Sequence, residues 1–266
     1  MTIIIRSLIL SCLVYFTACA GVPAFSTASG NSETAFFNTS PSGNGLVFIG
    51  AAGRRSNPKD TLQYALEDAA KRVSMFHRVS GEYAMENNLG SGAFDYSHNT
   101  FTSLFYDEAG SHQYIDTFQF DVDSDTMEID NTFFIRVVYP SSLSGSVNYR
   151  PVYSGQDNKP DWVTNPDFKI NGYETGIGFS NRFSSIADTY ANSSKNAVFA
   201  IIRNINTVSR SSDMLYQETG SLFGYKTTND NITYSYGTLN GFYILDTWVD
   251  PRAKTIWTLA IARKSE

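Results

Sequence analysis

Residues 49–73, IGAAGRRSNPKDTLQYALEDAAKRV, and residues 177–201, IGFSNRFSSIADTYANSSKNAVFAI, decide the fold. A shift of 128 residues aligns them without a gap, and seven of the 25 pairs are identical. The identities are Ile49/Ile177, Gly50/Gly178, Arg54/Arg182, Ser56/Ser184, Asp60/Asp188, Thr61/Thr189 and Ala69/Ala197; chance gives on the order of one or two. Each copy opens with a short apolar strand, Leu46-Val47-Phe48-Ile49 in the first and residues 173–179 in the second. Each then passes through glycine into an amphipathic helix.

The helical spacing runs outward from there. Leu62, Ala65, Leu66, Ala69, Val73 and Phe76 fall three and four apart in the first copy. Ile186, Tyr190, Ala191, Ser194, Ala197, Val198, Ile201, Ile205 and Val208 do so in the second. Asn57-Pro58 starts the first helix, with proline where its missing N–H costs nothing. Strands should close each copy. Tyr114-Ile115-Asp116-Thr117-Phe118 is expected to pair with residues 131–139, and Ile244-Leu245-Asp246-Thr247-Trp248-Val249 to turn at Asp250-Pro251-Arg252 into residues 255–262. The shared Asp-Thr-aromatic triplet suggests that the repeat reaches into these hairpins. Residues 214–240 should hold a further hairpin turning at Asn229-Asp230-Asn231. The expected fold class is therefore α+β: two related modules, residues 46–150 and 151–266. Each is read as an amphipathic helix on a small antiparallel sheet, in the order strand-helix-strand-strand. Residues 139–159, rich in Ser and Gly, with Pro140 and Pro151 inside and Pro160 just after, read as the boundary.

The N-terminus carries one cation, Arg6, and then the apolar run Leu8-Ile9-Leu10-Ser11-Cys12-Leu13-Val14-Tyr15-Phe16. That is far short of the roughly 18–20 residues of a membrane-spanning helix and suits a signal peptide. Phe16-Thr17-Ala18-Cys19 resembles the bacterial lipobox, with Phe16 where leucine is usual. Residues 1–18 are thus expected to be a lipoprotein signal peptide, and Cys19 the lipidation site. Cys12 and Cys19 are the chain's two cysteines, so cleavage before Cys19 leaves one thiol and no internal disulfide. A lone thiol in an oxidising compartment needs capping, and acylation caps it. Stable anchoring needs more than one acyl chain.

Removing residues 1–18 from the 266 leaves 248, room for one large domain or two small ones. Residues 19–45 read as a flexible tether of Ser, Thr, Asn and Gly with Pro23 and Pro41. Ala20 is not the aspartate that retains lipoproteins in the inner membrane of enteric bacteria, so the expected location is the outer membrane. A net charge of −6 gives no electrostatic case for nucleic acid. Charged residues are only 17%, against 16 Tyr and 19 Phe, which suits a strand-rich extracytoplasmic protein.

Pro160-Asp161-Trp162, Gly176-Ile177-Gly178, an alanine-bearing amphipathic helix and a closing Trp257-Thr258-Leu259-Ala260 strand together resemble the bacterial twenty-kilodalton membrane-associated lipoprotein family. The match covers residues 160–263 and, more weakly, 46–139, as if in tandem duplication. It departs at Asn192-Ser193-Ser194-Lys195-Asn196, where alanines and arginines are expected. The first copy's Ala65-Leu66-Glu67-Asp68-Ala69-Ala70-Lys71-Arg72 keeps that helix but lacks the Pro-Asp-Trp opening. The resemblance implies a helix packed on a small sheet, no enzymatic activity, and a role in envelope or motility-organelle assembly.

No catalytic, cofactor-binding or metal constellation emerges from the motifs. Gly176-Ile177-Gly178 would begin a dinucleotide fingerprint, but Asn181 stands where its third glycine belongs. Asp121-x-Asp123-x-Asp125 begins like a calcium loop, yet Thr126 and Thr132 occupy the glycine and glutamate positions; a looser site at a turn stays open. His77, His98 and His112 fall in separate segments without metal-ligand spacing. Trp162, Trp248 and Trp257 suit strand packing, with an aromatic binding surface as the alternative. The expected function is a non-enzymatic envelope lipoprotein with an envelope protein as partner. The alternatives are a surface adhesin or ligand-binding lipoprotein using residues 214–240, and, third, an envelope hydrolase.

Overall fold

The computed structural model describes residues 30–41, 45–89, 96–141, 147, 149–155, 157–165, 167–205, 207–212 and 229–263. The chain runs α1 (Gly30–Phe37), β1 (Gly45–Gly53), α2 (Pro58–His77), β2 (Val79–Leu89), β3 (Tyr96–Phe105), a 3-10 helix (Ala109–Thr117), β4 (Thr126–Ile129) and β5 (Thr132–Pro140). It continues with β6 (Tyr153–Ser154), β7 (Lys159–Pro160), α3 (Asp161–Thr164), β8 (Tyr173–Ser180), α4 (Ile186–Ile205), β9 (Thr207–Ser212), β10 (Asn229–Leu239), β11 (Tyr243–Val249) and β12 (Ile256–Arg263). Helices and antiparallel sheets are mixed, and the fold is α+β.

The two aligned stretches build the same local structure. The helices Pro58–His77 and Ile186–Ile205 start and stop at equivalent positions of the repeat. Each lies on a three-stranded antiparallel sheet, of order β1-β5-β4 or β8-β12-β11. Both helix starts are locked alike: Thr61 Oγ1 accepts the Arg55 N–H, and Thr189 Oγ1 accepts the Phe183 N–H, at 2.9 and 3.0 Å. Asn57 caps α2 by accepting from Lys59 N, and Ser185 accepts from Asp188 N. The glycines shared by the two stretches explain how close each helix sits. A Cβ on Gly50 would lie 1.9 Å from the Ala65 carbonyl oxygen, and one on Gly178 would lie 1.9 Å from that of Ser193.

The halves do not have separate cores. One cluster joins Phe48, Leu66, Val73, Phe133 and Ile135 to Trp162, Tyr243, Leu245 and Leu259; another joins Ile49 and Phe134 to Ile186, Tyr190 and Ile256. Arg72 of α2 reaches across to α4: it donates to Ser194 Oγ at 2.9 Å and lies 4.1 Å over the Tyr190 ring. The strands after each helix merge into one four-stranded sheet, β3-β2-β10-β9, in which β2 and β10 pair from Val79↔Leu239 to Leu89↔Asn229. Gly81 and Gly237 let this sheet settle on Ile202 and Phe199 of α4.

Several expectations need correction. Tyr114 to Thr117 belongs to the 3-10 helix, so the Asp-Thr-aromatic triplets are not structurally equivalent. The strand beside β5 is β4, joined to it through Asp130-Asn131. Both of these residues have positive φ (45° and 60°), as a two-residue hairpin turn of this hand demands. Asn229-Asp230-Asn231 lies within β10 rather than in a turn. Ala191 is exposed, and the α4 pattern ends at Ile205, with residue 208 in β9. The expected tether of residues 19–45 includes α1, held because Phe36 and Phe37 are buried against Phe134 and Tyr190. Polar composition concealed those two anchors. Cys19 and the signal-peptide reading lie outside the described residues. Among the described residues, no helix is long and apolar enough to cross a membrane.

Candidate functional site

β8 is an edge strand, and its side chains alternate as the strand period requires. Gly176, Gly178 and Ser180 face α4, while Ile177 and Phe179 face the other way beside Trp257, whose ring centroid is 4.5 Å from that of Phe179. Asn204 and Asn196 of α4 donate to the outward carbonyls of Thr175 and Phe179, at 3.2 and 2.7 Å. Ile177 lies between them and points its own N–H and C=O to that side, where no hydrogen bond from a described residue meets them. A cavity of about 770 Å³ opens here, lined by Ile177, Trp257 and Phe168 on one face of the sheet and by Ala200, Arg203 and Asn204 of α4 on the other. A cavity touching both faces of one sheet does so around its free edge.

The first half supplies an internal comparison. Val47, Ile49 and Ala51 of β1 are the repeat equivalents of Thr175, Ile177 and Phe179. On β1 this edge is buried. The Val47 N–H donates to Tyr243 Oη at 3.1 Å, Tyr243 Oη lies 2.9 Å from the Val47 carbonyl oxygen, and the Ala51 N–H donates to Asp68 Oδ2 at 2.9 Å. The same strand edge is thus buried in one half, under Tyr243 and Asp68, whereas in the other two asparagines reach its carbonyls and the cavity reaches Ile177 between them.

The wall opposite α4 is a strap built of residues 161–165 and 167–170, and a buried carboxylate holds it down. Asp246 is 1% exposed; its Oδ2 accepts from Tyr149 Oη at 2.7 Å and from Trp162 Nε1 at 3.1 Å, and its Oδ1 accepts from the Thr247 N–H at 2.9 Å. A β-bulge between Ile244 and Asp246 puts Tyr243 and Asp246 on one face, against Ile261 and Leu259 of β12. Without it, strict alternation would turn Asp246 toward α4. Burial pushes the Asp246 carboxyl up to about 7, partly offset by the Tyr149 and Trp162 hydrogen bonds. Burial and the facing Asp246 raise the Tyr149 and Tyr153 phenols, and Tyr149 stays a protonated donor to Asp246. Thr175 Oγ1 fastens the other end of the strap by accepting from Ile170 N at 3.0 Å.

The sequence candidates fall in different places. Trp257 lines the groove, Trp162 is wholly buried in the strap, and Trp248 is covered, donating to the Asp157 carbonyl under Lys159. They form no common aromatic surface. Gly176 and Gly178 serve helix packing, since Cβ atoms there would meet the backbone of α4. His77 stacks on Tyr114 and bonds Tyr139 Oη, with burial lowering its pKa. The side chain of His98 lies outside the described residues. Asp121 and Asp125 each accept a backbone N–H of their own turn, and no group of three potential metal-ligating side chains occurs among the described residues. Sequence reasoning missed Asp246 as a buried anchor; the signal was an aspartate inside an otherwise uncharged strand. No known protein family, no curated protein and no solved structure matches this chain. The likeness to the twenty-kilodalton lipoproteins therefore rests on the residues quoted for it.

Proposed function

We propose that the chain is a non-enzymatic bacterial envelope lipoprotein, anchored through lipid on Cys19 and acting as an outer-membrane assembly or interaction component. The observation that carries the interaction role is the open edge of β8, where the equivalent edge of β1 is sealed by the chain itself. The lipobox-like Phe16-Thr17-Ala18-Cys19 supports the anchor. Radioactive palmitate should label the wild type and not Cys19→Ser; equal labelling would end the anchoring claim. A photo-crosslinking amino acid in place of Phe179 should trap an envelope protein in living cells. An identical cross-link pattern from a probe at Lys59, on exposed α2 surface, would defeat the interaction role.

One observation favours a surface adhesin as the second reading. Phe101, Phe105, Tyr234 and Tyr236 stand on the face of the four-stranded sheet turned away from α4, with Phe101 62% and Tyr236 54% exposed. An antiparallel sheet usually turns polar residues to solvent on such a face. Protease added to intact cells would degrade a surface adhesin, whereas full protection would leave the periplasmic assembly role.

A further inference from the structure

We infer that the free edge of β8 takes an extended peptide segment of a partner protein as an added strand. This rests on the interaction reading above and gives it an occupant. The edge offers the Ile177 N–H and C=O, flanked by the carbonyls of Thr175 and Phe179. Each of those carbonyls keeps a second lone pair beyond the asparagine it already accepts from. Groups at this two-residue spacing are met by another strand, which approaches to about 4.8 Å. A helix has satisfied its backbone internally and is about 10 Å wide, so it can neither match these groups nor come as close.

The surroundings fit a single strand. The strap and α4 bound the groove on its two sides, and Asp246 fixes the strap through Trp162. Side chains of an added strand would point alternately to the two sheet faces. One set meets Ile177, Trp257 and Phe168, which favours large apolar residues; the other meets Ala200, Arg203 and Asn204, which favours small or polar ones. The repeat shows what sets the two edges apart. On β1 the Val47 and Ala51 N–H groups meet Tyr243 Oη and Asp68 Oδ2 and Ile49 is buried, so the chain itself covers that edge; on β8 two asparagines reach the Thr175 and Phe179 carbonyls, and the groove leaves room for a strand beside Ile177. A second copy would bring its own α4 and strap to the edge, where a lone extended segment brings neither.

The test is a random peptide phage library panned against the full chain in detergent, followed by backbone N-methylation of a selected peptide, one position at a time. Enriched peptides should carry apolar residues at alternate positions. Methylation should weaken binding about tenfold at every second peptide bond and little at the others, because only alternate N–H groups face β8. Trp257→Ala should weaken binding, and Phe101→Ser, on the far sheet, should leave it unchanged. Failure to enrich any peptide overturns the inference, as does an N-methylation profile without alternation or binding indifferent to Trp257→Ala. If the full chain self-associates and the selected peptide merely dissociates it, the occupant is a second copy and the inference fails. A cross-link from Phe179 in cells combined with a flat N-methylation profile would keep the interaction role and remove strand addition alone.

Discussion

Asp246 is where a single side chain decides how a long connection lies. Three donors converge on it, yet burial outweighs them and holds its pKa at about 7, well above that of a solvated aspartate. The sign of the consequence follows from proton linkage. Between about pH 4 and 7 the folded protein keeps a proton on Asp246 that the unfolded chain has released. Stability from this group therefore falls as pH rises through that window and levels off above it. The full swing is on the order of 4 kcal/mol. Asp246→Asn removes the titration, so melting temperatures at pH 5 and pH 8 should differ more, in the acid-favouring direction, for the wild type than for the variant. Equal pH dependence in both proteins would refute the assignment. Residue-scale reasoning from sequence could find the aspartate but not its partners, because Tyr149 and Trp162 lie 97 and 84 positions away along the chain.

Among the elements, the strand-helix pairs β1–α2 and β8–α4 were the most legible. Apolar spacing, the Asn57 cap and the identities Gly50/Gly178 and Ala69/Ala197 all reflect one local packing problem, a helix backbone lying on a strand backbone. Gly178→Ala should cost about 3 kcal/mol or more, since its Cβ would collide with main-chain atoms of α4 that cannot swing aside. Gly53→Ala is the control. Nothing lies within 4 Å of a Cβ there, and the change should stay within about 0.5 kcal/mol. Urea melts of the two variants measure both, and an equal cost would refute the close-approach argument. The hairpins were less legible. Tyr114 to Phe118 has the apolar alternation of a strand, but β5 obtains its neighbour through the two-residue Asp130-Asn131 turn instead. Local pattern ranks candidates for pairing; the length of the connecting turn chooses between them.

At the scale of the molecule, the two halves that carry the aligned stretches fold into one another. Arg72, Tyr190 and Tyr243 each reach across between elements that the repeat would assign to separate modules, and Phe37 of α1 packs against both, on Phe134 and Tyr190. Unfolding should therefore be a single event. Tryptophan fluorescence reports only the second half, through Trp162, Trp248 and Trp257, whereas far-ultraviolet circular dichroism reports the whole chain. The two signals should follow one urea transition, and separated midpoints would show that the halves unfold independently.

The amino-acid sequence by itself determined the α+β class, the two amphipathic helices and the start of the first at Asn57-Pro58, the paired glycines Gly50 and Gly178 ahead of them, and the β11–β12 hairpin. These depend on residues near one another in the chain, or on a pattern stated twice in it. The tertiary structure alone decided that α1 docks, that Asp246 pins the strap, and that the edge of β1 is closed while its equivalent on β8 stays open. Each of those turns on which distant segment arrives beside a backbone group. Equivalent strands carry the same free hydrogen-bonding edge, and only the packing of the rest of the chain determines which edge is covered.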